Sequence, residues 1–205
     1  EDLLRVIRRF SPQVRPHLHL SLQTGSRRLL SLMGRRYDRA YYRDLVTKAY
    51  ELIPDFALTT DVIAGLPTET EEEHGETLEF LEELCPSRVH VFTYTPRPKT
   101  RAASLPQVPI ETRKRRNREL TALAHRLAER RIQPKLGGRV EMLVESFRGG
   151  KAYGHTPDYY EVEAEGRTCI GETVWVRVNS VDKFTLQGRL EALKEEQAGF
   201  LVPVV

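Results

Sequence analysis

Along the first half of the chain, apolar residues alternate between helical and strand spacing. EDLLRVIRRF has the spacing of an amphipathic helix, and His17–Leu22 reads as a short strand after Pro16. Leu29, Leu30, Leu32 and Met33 predict a short helix ending near Gly34. Asp38 is placed to cap a longer helix in which Tyr41, Leu45, Ala49 and Leu52 recur at helical spacing. Ala57–Leu66 is a β-rich run. Thr68 and Glu71 then form a candidate capping box for an acidic helix carrying Leu78, Leu81 and Leu84. Pro86 stops that helix, and Arg88–Tyr94 predicts a third strand. Strands separated by helices imply parallel pairing through crossovers. Three strands with both faces covered make an incomplete α/β domain, so the expectation is that amino-terminal strands are missing.

Past a loop at 96–109, Leu120, Leu123, Ala124 and Leu127 give one apolar helical stripe. From about Arg139 the period becomes two: Val140, Met142 and Val144, then Tyr160, Val162 and Ala164, then Val174, Val176 and Val178. With glycine turns between them, these runs predict a compact antiparallel sheet or barrel. The fold class is thus α/β plus all-β. The expected division is 1–110 for the α/β part, 111–135 for a basic linking helix, 136–192 for the β module and 193–205 for a tail.

Charge sharpens this picture. Residues 1–110 balance 15 Lys/Arg against 15 Asp/Glu, whereas 111–139 hold 10 against 3. A concentrated patch suggests a polyanionic partner more strongly than the formal net charge of +3. The candidate RNA-binding residues are Arg113, Lys114, Arg115, Arg116 and Arg118 on the helix. On the β module they are Arg148, Lys151, Tyr153, His155, Tyr159, Trp175 and Arg177, where aromatic and basic groups interleave as stacking on unpaired bases requires. The alternative is a solvated helix and a barrel flank covered by its own aromatics. No apolar run reaches the roughly 20 residues needed to span a bilayer and no signal sequence is evident, so the cytoplasm is expected. Cys85 and Cys169 are the only cysteines, too far apart for a self-contained zinc site or a disulfide framework. His17, His19 and His90 fall in strands and are read as core or structural residues rather than metal ligands.

In parallel α/β folds, ligands lie beyond the carboxyl ends of the strands. Three such ends occur here: 21–26, 61–69 and 94–98. They offer Gln23, Asp61, Gly65, Glu69, Tyr94 and Arg97, which could bind a ligand; alternatively, Gly25 and Gly65 merely terminate strands. The blocks HLHLSLQTGS, LLSLMGRRYDRAYY, TTDVIAGLPTETEEEHGETLEFL and VHVFTYTPRPKTRAAS also stand in an order and spacing that resembles the radical-SAM methylthiotransferases. VHVFTYTPR and GHTPDYYEV resemble the branch acting on threonylcarbamoyl-adenosine.

The resemblance implies the carboxy-terminal part of a radical-SAM (βα) partial barrel followed by a TRAM-like RNA-binding β-barrel. It implies S-adenosylmethionine as cofactor, two 4Fe-4S clusters in the complete enzyme, and the tRNA anticodon stem-loop as partner. The six strand-end residues would then bind cofactor. The family's two cysteine triads are absent, so the chain is expected to be inactive alone, with no metal ligands and no assignable catalytic residue. Ser21 replaces a usual proline, and Lys99 and Arg101 stand where the family often has glycine and proline. Two other readings remain: a related enzyme modifying a ribosomal protein, and a stand-alone RNA-binding protein with a degenerate core.

Overall fold

The computed structural model describes residues 2–11 and 13–191, in two compact units that divide between Arg131 and Ile132. The expected tail, 193–205, lies outside the described residues. Among the described residues no helix is long and apolar enough to cross a membrane.

The first unit contains α1 (Asp2–Arg9), β1 (His17–His19), α2 (Arg27–Leu32), α3 (Arg39–Leu52), β2 (Ala57–Ala64), α4 (Glu71–Leu84) and β3 (Arg88–Thr93). A 3₁₀ turn (Arg101–Ser104) precedes α5 (Ile110–Ile132). The sheet order is β1-β2-β3 and every pair is parallel, as strand–helix alternation requires. β1 is shorter than the apolar run suggested. Beyond His19 the carbonyls are taken by side chains: Tyr42 donates its hydroxyl to Leu20 at 2.6 Å and Tyr37 donates to Ser21 at 2.7 Å.

One sheet face carries Leu58, Val62 and Ala64 into a core shared with Tyr42, Val46, Phe80, Leu81 and Leu84. The buried stripe of α3 is Tyr42, Val46 and Ala49; of the expected stripe Ala49 is buried, Leu45 and Leu52 pack half-buried against the core, and Tyr41 is exposed. The capping box of α4 is Thr70 with Glu73, not Thr68 with Glu71. Thr68 sits at φ +64°, and both its hydroxyl and its carbonyl accept from Arg28, so it cannot serve as the cap.

The opposite sheet face is not covered as expected. Arg88, His90 and Phe92 alternate outward along β3, and His19 is also exposed. His17 and His19 bond the Thr59 hydroxyl at 3.0 Å, while His19 and His90 meet edge to face. These histidines are in strands as expected, but they line an open polar face rather than the core. Among the described residues no group of His, Cys, Asp and Glu could hold a metal ion.

α5 is not a separate linker. Leu120, Leu123 and Leu127 are buried in the core of the first unit. The second unit holds β4 (Arg139–Arg148), β5 (Lys151–His155), β6 (Glu161–Glu165), β7 (Thr173–Asp182) and β8 (Thr185–Leu190). They close into a barrel of order β4-β5-β6-β8-β7, with β4 pairing β7. Val140, Met142, Val144, Val162, Ala164, Val176 and Val178 fill it, as the period-two runs predict. The expected all-antiparallel pairing is corrected at one place: β6 and β8 are parallel. A five-stranded Greek-key barrel of this kind is the OB-fold architecture.

Candidate functional site

Beyond the carboxyl ends of β2 and β3 lies a cavity of about 440 Å³. Gln23, Asp61, Tyr94 and Arg97 line it, so four of the six predicted ligand-binding residues converge on one space. Gln23 adopts φ +73° and bridges to β2, its N–H donating to the Asp61 carbonyl at 2.8 Å and its own carbonyl accepting from Ile63 at 2.9 Å. A non-glycine residue at positive φ carries strain of order 1–3 kcal/mol, which persists only where the surroundings enforce it. The Asp61 carboxylate accepts from the Ser21 hydroxyl at 2.9 Å and lies 3.1 Å from His19 Nε2. Ser21 therefore orients a cavity carboxylate. The buried Tyr94 hydroxyl has no hydrogen-bond partner among the described residues.

Sequence reasoning missed Ile63 and Phe92, which also line the cavity. The signal was present, because Ile63 follows Asp61 by two residues and Phe92 precedes Tyr94 by two, sharing their faces. Phe92 is 52% exposed, leaving an aromatic surface beside polar groups.

Gly65 and Glu69 are not in the cavity. Gly65 has φ +73°, and a Cβ there would overlap the Arg113 side chain. The Glu69 carboxylate accepts from the Gly65 N–H at 2.9 Å and from Arg116 Nη1 at 2.7 Å. Burial pushes the Glu69 carboxyl above its usual range, against the lowering effect of Arg116.

The same contacts correct the reading of α5 as an exposed cationic strip. Arg116 is buried, bonding Glu69 and, at 2.8 Å, Glu71. Arg115 holds Glu71 and Glu119 at 2.8 Å, and Lys114 pairs with Glu111. Arg113 donates to the carbonyls of Val108 and Tyr94. Hydrogen bonds from Arg116 and Arg115 lower the Glu71 carboxyl to about 2. His74, buried in α4, meets Glu119 at 2.7 Å; burial lowers its pKa, outweighing the carboxylate. The acidic start of α4 thus neutralises the basic start of α5. Of the five predicted cations, only Arg118 is exposed without a partner among the described residues.

On the barrel, Lys151 pairs with Glu163, His155 with Glu145 and Arg177 with Glu191, so these three are not free cations. Arg148 lies 4.5 Å over the Tyr153 ring, and the Tyr159 ring lies 5.1 Å from that of His155. Trp175 faces outward as expected, with Arg139 at 4.4 Å over its ring.

The parallel sheet with its crossover helices has counterparts among known proteins. The Radical SAM superfamily description matches residues 1–81. Coproporphyrinogen III oxidase from Escherichia coli, a radical SAM enzyme, shares the fold with a TM-score of 0.50 and 24% identity, over 60% of this chain and 30% of that one.

The particular family follows from closer relatives. The chain is 38% identical to tRNA-2-methylthio-N(6)-dimethylallyladenosine synthase of Acetivibrio thermocellus, over 93% of this chain and 40% of that protein. It is 38% identical to the synthase of Geobacillus thermodenitrificans and 35% identical to that of Bacillus subtilis, in each case over 85% of this chain. Over most of its own length the chain is thus similar to radical-SAM tRNA methylthiotransferases. It spans 40%, 34% and 35% of the length of these three relatives.

Proposed function

We propose that the chain is the carboxy-terminal part of a tRNA methylthiotransferase that inserts a methylthio group at C2 of an N6-modified adenosine near the anticodon. The observation that carries this reading is the strand-end cavity, where Gln23, Asp61, Tyr94 and Arg97 gather beside the exposed ring of Phe92. That mixture suits S-adenosylmethionine: a π-face for adenine, acceptors for ribose hydroxyls, and Arg97 for the amino-acid carboxylate. S-adenosylmethionine, bound with a reduced iron–sulfur cluster, supplies the radical in this class of chemistry.

The described residues do not fit the cluster itself. Cys85 and Cys169 belong to different units and no metal-ligating group forms, so no step through a cluster is assigned to this chain. In this reading two 4Fe-4S clusters are held by the portion of the relatives that the chain does not span, the sheet is the closing part of a partial barrel, and the chain alone is inactive. Its own residues orient cofactor: Ser21 and His19 fix the Asp61 carboxylate, and the backbone at Gln23 holds that side chain at the cavity wall. The barrel, in the role of a TRAM domain, presents Trp175, Tyr159, Tyr153 and Arg148 to the anticodon stem-loop. The cytoplasm, where tRNA is found, is the proposed location.

The names of the relatives favour the dimethylallyl substrate over the threonylcarbamoyl one suggested by two sequence blocks. Binding of the chain to labelled S-adenosylmethionine and to anticodon stem-loops carrying either modification tests the reading. Saturable cofactor binding together with preference for a modified stem-loop is expected. Absence of both would overturn it, and preference for a ribosomal protein would favour the related protein-modifying enzyme.

A further inference from the structure

A second cavity, about 650 Å³, opens between α2 and the 3₁₀ turn, lined by Arg27, Arg28, Ser31, Leu32 and Arg101. Its cations differ from those of α5. Arg28 is fully engaged, with two bonds to the Glu73 carboxylate at 2.7 and 2.8 Å and two to Thr68. It builds the wall. Arg27 and Arg101 are exposed, and their side chains have no hydrogen bond or ion pair among the described residues. Arg97 and Lys99, on the loop leading into the turn, also point no charge at any described carboxylate.

That loop is held rather than loose. The Thr100 hydroxyl donates to the Arg97 carbonyl at 2.8 Å, and Gln107 Nε2 donates to the carbonyls of Ala102 and Leu105 at 3.0 and 2.7 Å. Lys99 occupies φ +65°, a conformation that disfavours any side chain, yet a lysine stands there. The two cavities share this turn: Ala102 lines the first and its neighbour Arg101 lines the second.

We infer that the groove between Arg27 and Arg101 seats backbone phosphates of the RNA substrate beside the cofactor cavity, so that the neighbouring base can be turned into it. The inference rests on the function proposed above, which it deepens by naming where the catalytic unit itself would grip the RNA. Unpaired arginines on a pinned wall bring phosphates to a fixed place and release counterions on doing so. An enzyme acting on a base must also hold the strand on either side of it. Free positive charge in the first unit therefore stands at the cavity rims, whereas at the start of α5 acidic partners cancel most of it and leave Arg118.

The test is a salt titration of the full chain binding an anticodon stem-loop, for wild type, an Arg27→Ala/Arg101→Ala variant, and an Arg5→Ala/Arg8→Ala control on the exposed face of α1. The groove variant should flatten the slope of log K against log salt by roughly 1.5, about 0.7–0.9 per lost phosphate contact. The control should flatten it far less, and binding of S-adenosylmethionine should be unchanged in both. If wild type shows steep salt dependence and the groove variant matches it, the groove inference fails while the proposed function stands. If wild type binds cofactor but no RNA, the inference fails together with the RNA part of that function. Tripolyphosphate bound by wild type and lost in the groove variant, with RNA affinity intact, would assign the groove to a free polyphosphate instead.

Discussion

Arg116 on α5 and Glu69 in the loop after β2 form an ion pair at 2.7 Å, with side chains 4% and 2% exposed. The pair joins the helix to the strand end and closes the loop through the Glu69 bond to Gly65. Breaking such a pair on one side strands a buried charge and typically costs about 3–5 kcal/mol. Arg116→Met should therefore lower the denaturant midpoint strongly, whereas exposed Arg118→Met should shift it by less than about 0.5 kcal/mol. Adding Glu69→Met to Arg116→Met should recover part of the loss. A midpoint unchanged by Arg116→Met would mean that the pair contributes no stability.

Gly65 meets two demands at once, a left-handed backbone and close approach by Arg113. Gly65→Ala should destabilise by about 1–3 kcal/mol through overpacking and strain. Arg113→Ala in that background should relieve the overlap but not the φ penalty, so rescue is expected to be partial. Full rescue in thermal melts would remove backbone strain from the explanation.

Acid stability should depend on Glu71. Its carboxyl titrates at about 2 in the folded chain, below the ordinary value near 4.5. Between those values the unfolded chain binds more protons, so stability contributed above pH 4.5 is lost as pH falls toward 2. Glu71→Gln should flatten the pH dependence of unfolding across that window. The buried His74 acts with the same sign at higher pH. Its lowered pKa means that stability is full above 6.5 and declines as pH falls through the folded value. His74→Gln should flatten the corresponding slope as pH falls below 6.5, and an unaltered slope would contradict a neutral buried imidazole.

Tyr94 offers a separable test of the cavity. Its hydroxyl has no partner to lose, so Tyr94→Phe should leave the melting temperature unchanged or raise it. If the hydroxyl meets the cofactor, the same change should weaken S-adenosylmethionine binding about fivefold, the worth of one hydrogen bond near 1 kcal/mol. Equal affinity in equilibrium dialysis would leave the hydroxyl without a binding role.

On the barrel, stacking and charge can be told apart. Trp175→Ala should weaken RNA binding by about 1–3 kcal/mol if a base stacks on it. Lys151→Ala should matter little, because Glu163 already neutralises that lysine. A larger effect from Lys151→Ala than from Trp175→Ala in filter binding would reverse this assignment of roles.

The sequence by itself determined the element order, the parallel sheet, the barrel and the strand-end location of the cavity. Those features follow from periodicity and local turn chemistry, which act between near neighbours: Asp38 caps α3, and Val140, Met142 and Val144 must share a face. Gln23, Asp61, Tyr94 and Arg97 were legible for the same reason, since each stands in the last half of a strand or shortly after it. Only the tertiary structure decided which charges remain free. A run such as Arg113–Arg116 looks like an RNA strip until α4 brings Glu71 and the β2 loop brings Glu69 against it, more than forty residues away in the chain. Charge pairing at that separation leaves no periodic trace. It internalises Glu69 and Arg116, while Arg27 and Arg101 are left facing a groove that no local pattern announces.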